Sequence, residues 1–298
     1  MPEGDTIFKT ATTLRKAILG KRITGFEARV DQITERYRPS FIVHRRIHAV
    51  EPRGKHLLVV MRPDPDDSEP ITVPERLELE LNRNDLVLHT HLRMTGSWHI
   101  YRHGEPWQKP RHYRKVVIET EGFVVPCFSA PVVELLTARE TARHEQLVSL
   151  GPDAIIEEFD GADALQRLRA RPDVEIGVAI MIQRIMAGVG NVYKSEVLFI
   201  KRVNPFSKVG DLNDDTLKRL ISESHKLLRL NGDNGHRRTH FGLDERQRLW
   251  VYQRSGRPCR VCGTTIKVRR QGLDARVTFW CPNCQPIDAE LCIDLPKA

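Results

Sequence analysis

Four cysteines near the carboxyl end, Cys259, Cys262, Cys281 and Cys284, form two Cys-x2-Cys pairs with 18 residues between them. Each pair can bring two thiolates to one tetrahedral ion, with Zn–S near ~2.3 Å, and the hairpin between the pairs closes the site. Four protein ligands leave no open position, so one structural zinc ion is expected, folding its segment rather than reacting. Redox chemistry or another metal is the alternative use of such pairs. Cys127, in FVVPCFSA, reads as a buried small hydrophobe, and Cys292 as a free thiol in the tail.

The second candidate is Pro2-Glu3. Removal of the initiator Met before a small residue exposes the secondary amine of Pro2. An α-amino group titrates near ~7.7–8, so a useful fraction is unprotonated at neutral pH. Such an amine can attack an electrophilic carbon and form an iminium, with Glu3 beside it for acid–base work. The other reading of the same residues is an inert chain start.

Phosphate-binding chemistry is suggested twice. Gly188-Val189-Gly190-Asn191 opens a helical segment, and a helix amino terminus behind glycines presents N–H groups to an anion; Asn191 stands where an N-cap or a phosphate-contacting amide would. Arg53-Gly54-Lys55-His56 reads as a basic hairpin turn from which Lys55 could grip a phosphate. Both also fit ordinary structure, a capped helix break and a solvated turn. His89, His91 and Arg93-Met94-Thr95-Gly96 form a further concentration, in which Met94 is either core filler or an apolar wedge.

The elements that must position these residues change character along the chain. An amphipathic helix runs from Ile7 to Leu19 and stops at Gly20. Short β-like runs follow at 22–26, 40–43, 56–61, 86–91, 115–119 and 122–127, separated by Pro, Gly and Asp, and suggest a sandwich or barrel. Residues 62–85 carry eight acidic against three basic side chains and read as a solvated excursion. Beyond Leu150 the spacing becomes helical at 162–170, 176–186, 191–200 and 215–230. A basic run leads into the cysteines, with eleven Lys/Arg and three Asp/Glu between His236 and Arg276.

The length of 298 residues, 40% hydrophobic, allows about two domains with real cores. A net charge of +8 favours a polyanionic partner, nucleic acid first. No apolar run approaches the ~20 residues of a membrane span, and Glu3 and Asp5 stand where a secretory leader would be basic. A soluble, cytoplasmic, monomeric protein without membrane contact is the expectation.

Together these pieces resemble the bifunctional DNA glycosylase family that includes formamidopyrimidine-DNA glycosylase and endonuclease VIII. The motifs follow the family's order: MPEGDT at the start, RGKHLL around Lys55, HLRMTGSW at 91–98, LGPD at 150–153, IMAGVGNVYKSEVLF at 185–199, VYQRSGRPC at 251–259 and ARVTFWCPNCQ at 275–285. The fold this implies is α+β and multidomain: a helix-led two-layered β-sandwich over 1–140, a helix–two-turn–helix domain over 150–235 and a zinc-finger hairpin over 240–290. The resemblance implies damaged double-stranded DNA as partner, Pro2 as nucleophile at C1′, Glu3 as general acid/base and Lys55 in the catalytic set. It also makes Lys55, Asn191 and Arg276 a phosphate clamp and Met94 the residue that fills the space of a flipped base.

The activity implied is glycosylase and AP lyase from one Schiff-base intermediate, ending in β,δ-elimination. The opening MPEGD resembles the endonuclease VIII branch, and the stretch 239–250 is short for the lesion-capping loop of purine-directed members. Both point to oxidised pyrimidines. The alternatives are an 8-oxoguanine or formamidopyrimidine enzyme, and a non-catalytic zinc-finger DNA-binding protein. Thr6 stands where many members carry a second acid, Arg93-Met94-Thr95 departs from the void-filling tripeptides of either branch, and the acidic 62–85 excursion is longer than usual.

Overall fold

The chain opens with a helix whose apolar residues recur on one stripe. In the computed structural model, which describes residues 2–64, 81–232, 235–242 and 247–287, helix α1 spans Gly4–Ile18 and buries Ile7, Ala11, Leu14, Ala17 and Ile18. Asp5 in its first turn and Arg15 and Lys16 in its last complement the helix dipole. Beyond the helix lie strand β1 (Ile23–Ala28), the short helix α2 (Asp31–Thr34), and strands β2 (Arg46–Arg53), β3 (His56–Arg62), β4 (Leu86–His91), β5 (Ser97–Trp98), β6 (Arg114–Thr120), β7 (Val124–Phe128) and β8 (Val132–Thr137). Two short helices, α3 (Ala138–Thr141) and α4 (Glu145–Val148), follow β8.

The strands form two antiparallel four-stranded sheets, ordered β1-β6-β7-β5 and β2-β3-β4-β8. Between them lies the main core. Leu57, Val59, Met61, Leu86 and Leu88 from one sheet meet Ile23, Val116, Ile118, Val125 and Cys127 from the other, with α1 packed into the same cluster. The opposite faces of β3 and β4 are also covered: Leu58, Val60 and Val87 pack with Ala49 and Leu147 of α4. A sheet buried on both faces explains why β3 reads as an unbroken apolar run instead of an alternating one.

Residues 2–149 make one compact unit and the remaining described residues a second. The second contains α5 (Gly161–Arg169), α6 (Ile176–Ala179), α7 (Asn191–Ile200) and α8 (Asp214–Leu230), then a hairpin of β9 (Lys267–Gln271) and β10 (Arg276–Trp280). Asp160 caps α5 through the N–H groups of Ala162 and Asp163, and Asn213 caps α8 through that of Thr216. Helix α7 is buried along almost its whole length, whereas α8 turns only Leu217, Leu220, Ile221, Leu227, Leu228 and their neighbours inward. No helix among the described residues is long and apolar enough to cross a membrane.

Three expectations change. The strand expected at 40–43 is instead a 3-10 turn over Pro39–Phe41, where Pro39 fixes its own φ and supplies no ladder N–H. The helix expected over 176–186 is regular only to Ala179. The Gln183 side chain then donates to the carbonyls of Met181 and Val189 and accepts from Gly188 N–H, holding a turn-rich path up to α7. Strands β2 and β8 were not anticipated. A bulge between Ile47 and Ala49 breaks the alternation of β2, and Pro52 reads against a strand. Of the acidic excursion, residues 65–80 lie outside the described residues, as does Cys292. At its described ends Asp64 pairs with Arg22 and Arg46, and Asp85 with Arg62.

Gly96, in the turn after β4, approaches backbone too closely to carry a side chain. A Cβ there would stand 2.8 Å from the carbonyl oxygen of Leu92 and 3.0 Å from Cα of Ala130. Gly96→Ala is expected to cost about 1–3 kcal/mol in chemical denaturation, with the loss centred on the Met94 turn.

Candidate functional site

In the first unit, four residues singled out from sequence converge on one end of the sandwich. The Gly20 N–H donates to Ile47 O at 2.8 Å, and the Arg15 guanidinium to Glu51 at 2.9 Å, so moving back along α1 means moving along β2 toward its turn. From Arg15 to Asp5 is about 15 Å of helix, and from Glu51 to Lys55 about 13 Å of strand. The head of α1 and the β2–β3 turn therefore lie at the same end. His56 pairs with His91 across β3 and β4, which brings the Arg93-Met94-Thr95 turn to that end as well.

Each local conformation has a cause. Arg53 pairs with His56, leaving Gly54-Lys55 as a two-residue loop with Gly54 at φ 56° in its first position, where a type II′ hairpin turn needs glycine. Glu3 precedes the first turn of α1 as its N-cap residue, its carbonyl accepting from Thr6 and Ile7 N–H, and is fully buried; Pro2 before it is half-buried. The 93–95 turn is held by Thr95 Oγ1 donating to Ser129 O at 2.9 Å. Met94 stands 71% exposed, which removes the core-filler reading.

Electrostatics around Lys55 leave the neighbouring imidazoles neutral. Burial, reinforced by the adjacent His91, His89, His144 and Lys55, pushes His56 down to about 2. His91 is lowered to about 4 by burial, then by Lys55 and Arg93. Positive charge at this turn is thus carried by Lys55 and the arginines beside it.

The second unit joins two other singled-out residues to one strand. Asn191 is the first residue of α7, and the N-cap is Gly190, which corrects the capping reading: the Asn191 side chain makes no cap bond. Its Nδ2 instead donates to Val277 O at 2.8 Å, next in chain to Arg276, while Oδ1 is buried without a partner. Lys194, fully buried, donates to Val277 O and to Thr278 Oγ1 at 3.2 and 2.7 Å. The hairpin is tied further by Gln271, which donates to Glu175 and Pro205 O and accepts from Thr278. Arg276 itself is exposed, 3.9 Å from Asp274.

Beside the hairpin the four cysteines cluster, with sulfur pairs at 3.8, 3.4 and 3.4 Å and all four ligand atoms within 4.8 Å of one another. Tetrahedral Zn–S bonds of ~2.3 Å require sulfurs on the order of 3.8 Å apart, so the donor set fits zinc. Burial pushes Cys281 up to about 11 and Cys284 higher still. Cys262 drops to about 6 as Thr264 and Asn283 hydrogen bonds outweigh burial. Cys127 is fully buried in the sandwich core, and burial raises its thiol.

One residue that the sequence reading passed over organises this unit. Glu196 of α7 is fully buried and accepts from the backbone N–H groups of Trp250, Val251 and Tyr252 at 2.7–2.9 Å, and from the Thr239 hydroxyl. A charged residue in a helix apolar on every side, as Lys194 and Glu196 are, was the available signal.

Comparison with known proteins agrees with this architecture. Residues 1–131 match the formamidopyrimidine-DNA glycosylase N-terminal domain, 150–239 the formamidopyrimidine-DNA glycosylase H2TH domain, and 256–287 the zinc finger found in FPG and IleRS. The chain is 38% identical over 289 residues to a probable endonuclease 8 2 of Streptomyces coelicolor, covering 96% of this chain and 94% of that one. It is 34% identical over 285 residues to the DNA-(apurinic or apyrimidinic site) lyase Nei2 of Mycolicibacterium smegmatis, covering 96% and 99%. In fold it is similar to Lactococcus lactis Fpg bound to DNA containing an AP site, with TM-score 0.73, 22% identity and coverage of 95% and 99%. The chain belongs to the formamidopyrimidine-DNA glycosylase and endonuclease VIII family of DNA glycosylase/AP lyases. Because the match takes in the amino-terminal domain as well as the finger, a non-catalytic zinc-finger protein is set aside.

Glu196→Ala leaves three backbone N–H groups, that of buried Val251 among them, without their acceptor and is expected to lower stability by about 2–3 kcal/mol in urea denaturation. Glu196→Gln, which keeps the shape and one accepting oxygen, should lose less.

Proposed function

We propose that the protein excises oxidised pyrimidines from double-stranded DNA, as a monomer, and nicks the strand by β,δ-elimination. The observation that carries this is the gathering of Pro2, Glu3, Lys55 and the exposed Met94 at one end of the first unit. With Met1 removed, the Pro2 amine attacks C1′, and Glu3 supplies a proton as the sugar ring opens. The base departs and an iminium links Pro2 to C1′. That cation acidifies the C2′ proton, whose loss expels the 3′ phosphate; a second elimination releases the sugar remnant.

Lys55, Asn191 and Arg276 are assigned to the phosphates, and Met94 to the space vacated by the flipped base. Asn191 Nδ2 is engaged with Val277, so its part is to set the backbone of the strand that presents Arg276 to the phosphate. Cys259, Cys262, Cys281 and Cys284 would hold one zinc ion, which supplies rigidity to the finger. The division into 1–140, 150–235 and 240–290 is the functional partition that goes with this reading, and action at DNA in a bacterial-type cytoplasm its setting.

The pyrimidine preference is supported by the MPEGDT opening, which resembles the endonuclease VIII branch, and by the short 239–250 stretch. A purine-directed reading also has support: the chain is 30% identical over 298 residues to a formamidopyrimidine-DNA glycosylase of Methylococcus capsulatus. Duplexes carrying thymine glycol, dihydrouracil, 8-oxoguanine or formamidopyrimidine, one lesion each, should rank the two pyrimidines first; the reverse ranking favours the second reading.

Borohydride reduction in the presence of abasic-site DNA should give a covalent adduct with processed protein and none with Pro2→Gly or with Met1 retained. An adduct that survives both changes rules out the Pro2 amine. Lys55→Ala and Arg276→Ala should each weaken DNA binding and reduce the slope of log K against log salt by about one. An unchanged slope argues against phosphate contact.

A further inference from the structure

The covered outer face of the second sheet holds a polar group that the reaction does not use. His89 on β4 lies opposite Glu134 on β8 in the strand register, and His144 enters from the start of α4. His89 Nδ1 is 2.8 Å and His144 Nε2 3.0 Å from the same oxygen, Oε2 of Glu134, and the ligand-capable atoms of all three lie within 4.8 Å of one another. His89 is fully buried, while Glu134 and His144 are partly open to a surface pocket bounded by Gln32, Arg36, Arg139 and Glu140 as well. From these positions we infer that His89, Glu134 and His144 form a binding site for a borderline divalent transition-metal ion, separate from the four cysteines.

Three arguments support this. Two imidazole nitrogens and one carboxylate oxygen suit Zn2+, Co2+, Ni2+ or Cu2+, which bind at ~2.0–2.2 Å with ligand atoms on the order of 3.3 Å apart. From 2.8 and 3.0 Å, the two nitrogen–oxygen separations reach that spacing by opening about half an ångström or less. The second nitrogen of His89 is already engaged: Nε2 is 2.8 Å from Nδ1 of buried His56, so with its proton on Nε2 the ring presents Nδ1 to an ion and is oriented by a neighbour. Glu134 and His144 are partly open to the pocket, so an ion can reach the donors from solvent.

The surroundings also select among cations. Arg36, Arg139 and Arg143 line the pocket, and among the described residues only Arg36 of the three has an acidic partner, Glu140 at 2.7 Å. That positive rim disfavours Ca2+ or Mg2+, which need many oxygen ligands and are held chiefly by charge. An ion bound through imidazole nitrogen suffers less, and an open coordination position toward the pocket would be filled by water or a small anion. Bound there, the ion would fasten β4, β8 and the start of α4 to one another.

Titration of the zinc-free full-length chain with Co2+ in a non-chelating buffer separates the sites. The cysteine site shows intense thiolate-to-metal charge-transfer absorption; the His/Glu site shows weak d–d bands without it. Two equivalents per chain are expected. His144→Ala and Glu134→Gln should each weaken the second at least about tenfold and leave the charge-transfer bands unchanged. In zinc-loaded wild type, one equivalent of Cu2+ should give an electron paramagnetic resonance spectrum with coupling to imidazole nitrogen. Saturation at one Co2+, a second equivalent indifferent to both substitutions, or a Cu2+ spectrum without nitrogen coupling would overturn the site.

Discussion

The position of the amino terminus rests on one packing arrangement, the buried stripe of α1 against the inner face of the second sheet. Ile7, Ala11, Leu14 and Ile18 share a core with Leu57, Val59 and Met61, and each of these side chains except that of Ala11 contributes roughly 1.5–3 kcal/mol by burial. An amine on a free chain end would sample many positions. Here the residue beside it is the N-cap of a helix seated in that core, so the Pro2 amine inherits the rigidity of the sandwich. The proposed covalent chemistry needs this, since a nucleophile gains its advantage from being held near the attacked carbon.

The second unit applies the same logic to the phosphate contacts proposed for it. Exposed Arg276 owes its position to what its neighbours do inside: Val277 O receives Asn191 and Lys194, and Thr278 reaches Lys194 and Gln271. Burying the Lys194 ammonium carries a desolvation cost, offset here by two acceptors on β10. The finger hairpin is therefore fastened to α7 by polar contacts that tolerate no slip of register, because shifting β10 by one residue would turn Thr278 away.

Much of this was legible in the residues. The two Cys-x2-Cys pairs, the helix stop at Gly20 and the Gly54-Lys55 turn are local signals, each set by ligand spacing or backbone sterics, and each is found where it was expected. What was not legible depended on partners distant in sequence. The bulge in β2 hides its alternation, and Gln183 diverts the segment after α6 by taking backbone carbonyls. The His56–His89–Glu134–His144 network joins residues as far apart as 56 and 144, so no window along the chain could display it. The capping reading of Asn191 failed because its amide crosses to the finger, which only the folded hairpin reveals.

Glu196 holds Thr239 on one side and Trp250 to Tyr252 on the other, so both ends of the intervening span meet at a single carboxylate. Closing a longer loop between fixed ends costs entropy that grows only with the logarithm of its length. Evolution can therefore lengthen or trim this stretch, or change its composition, without disturbing the metal-binding hairpin downstream or the helices upstream.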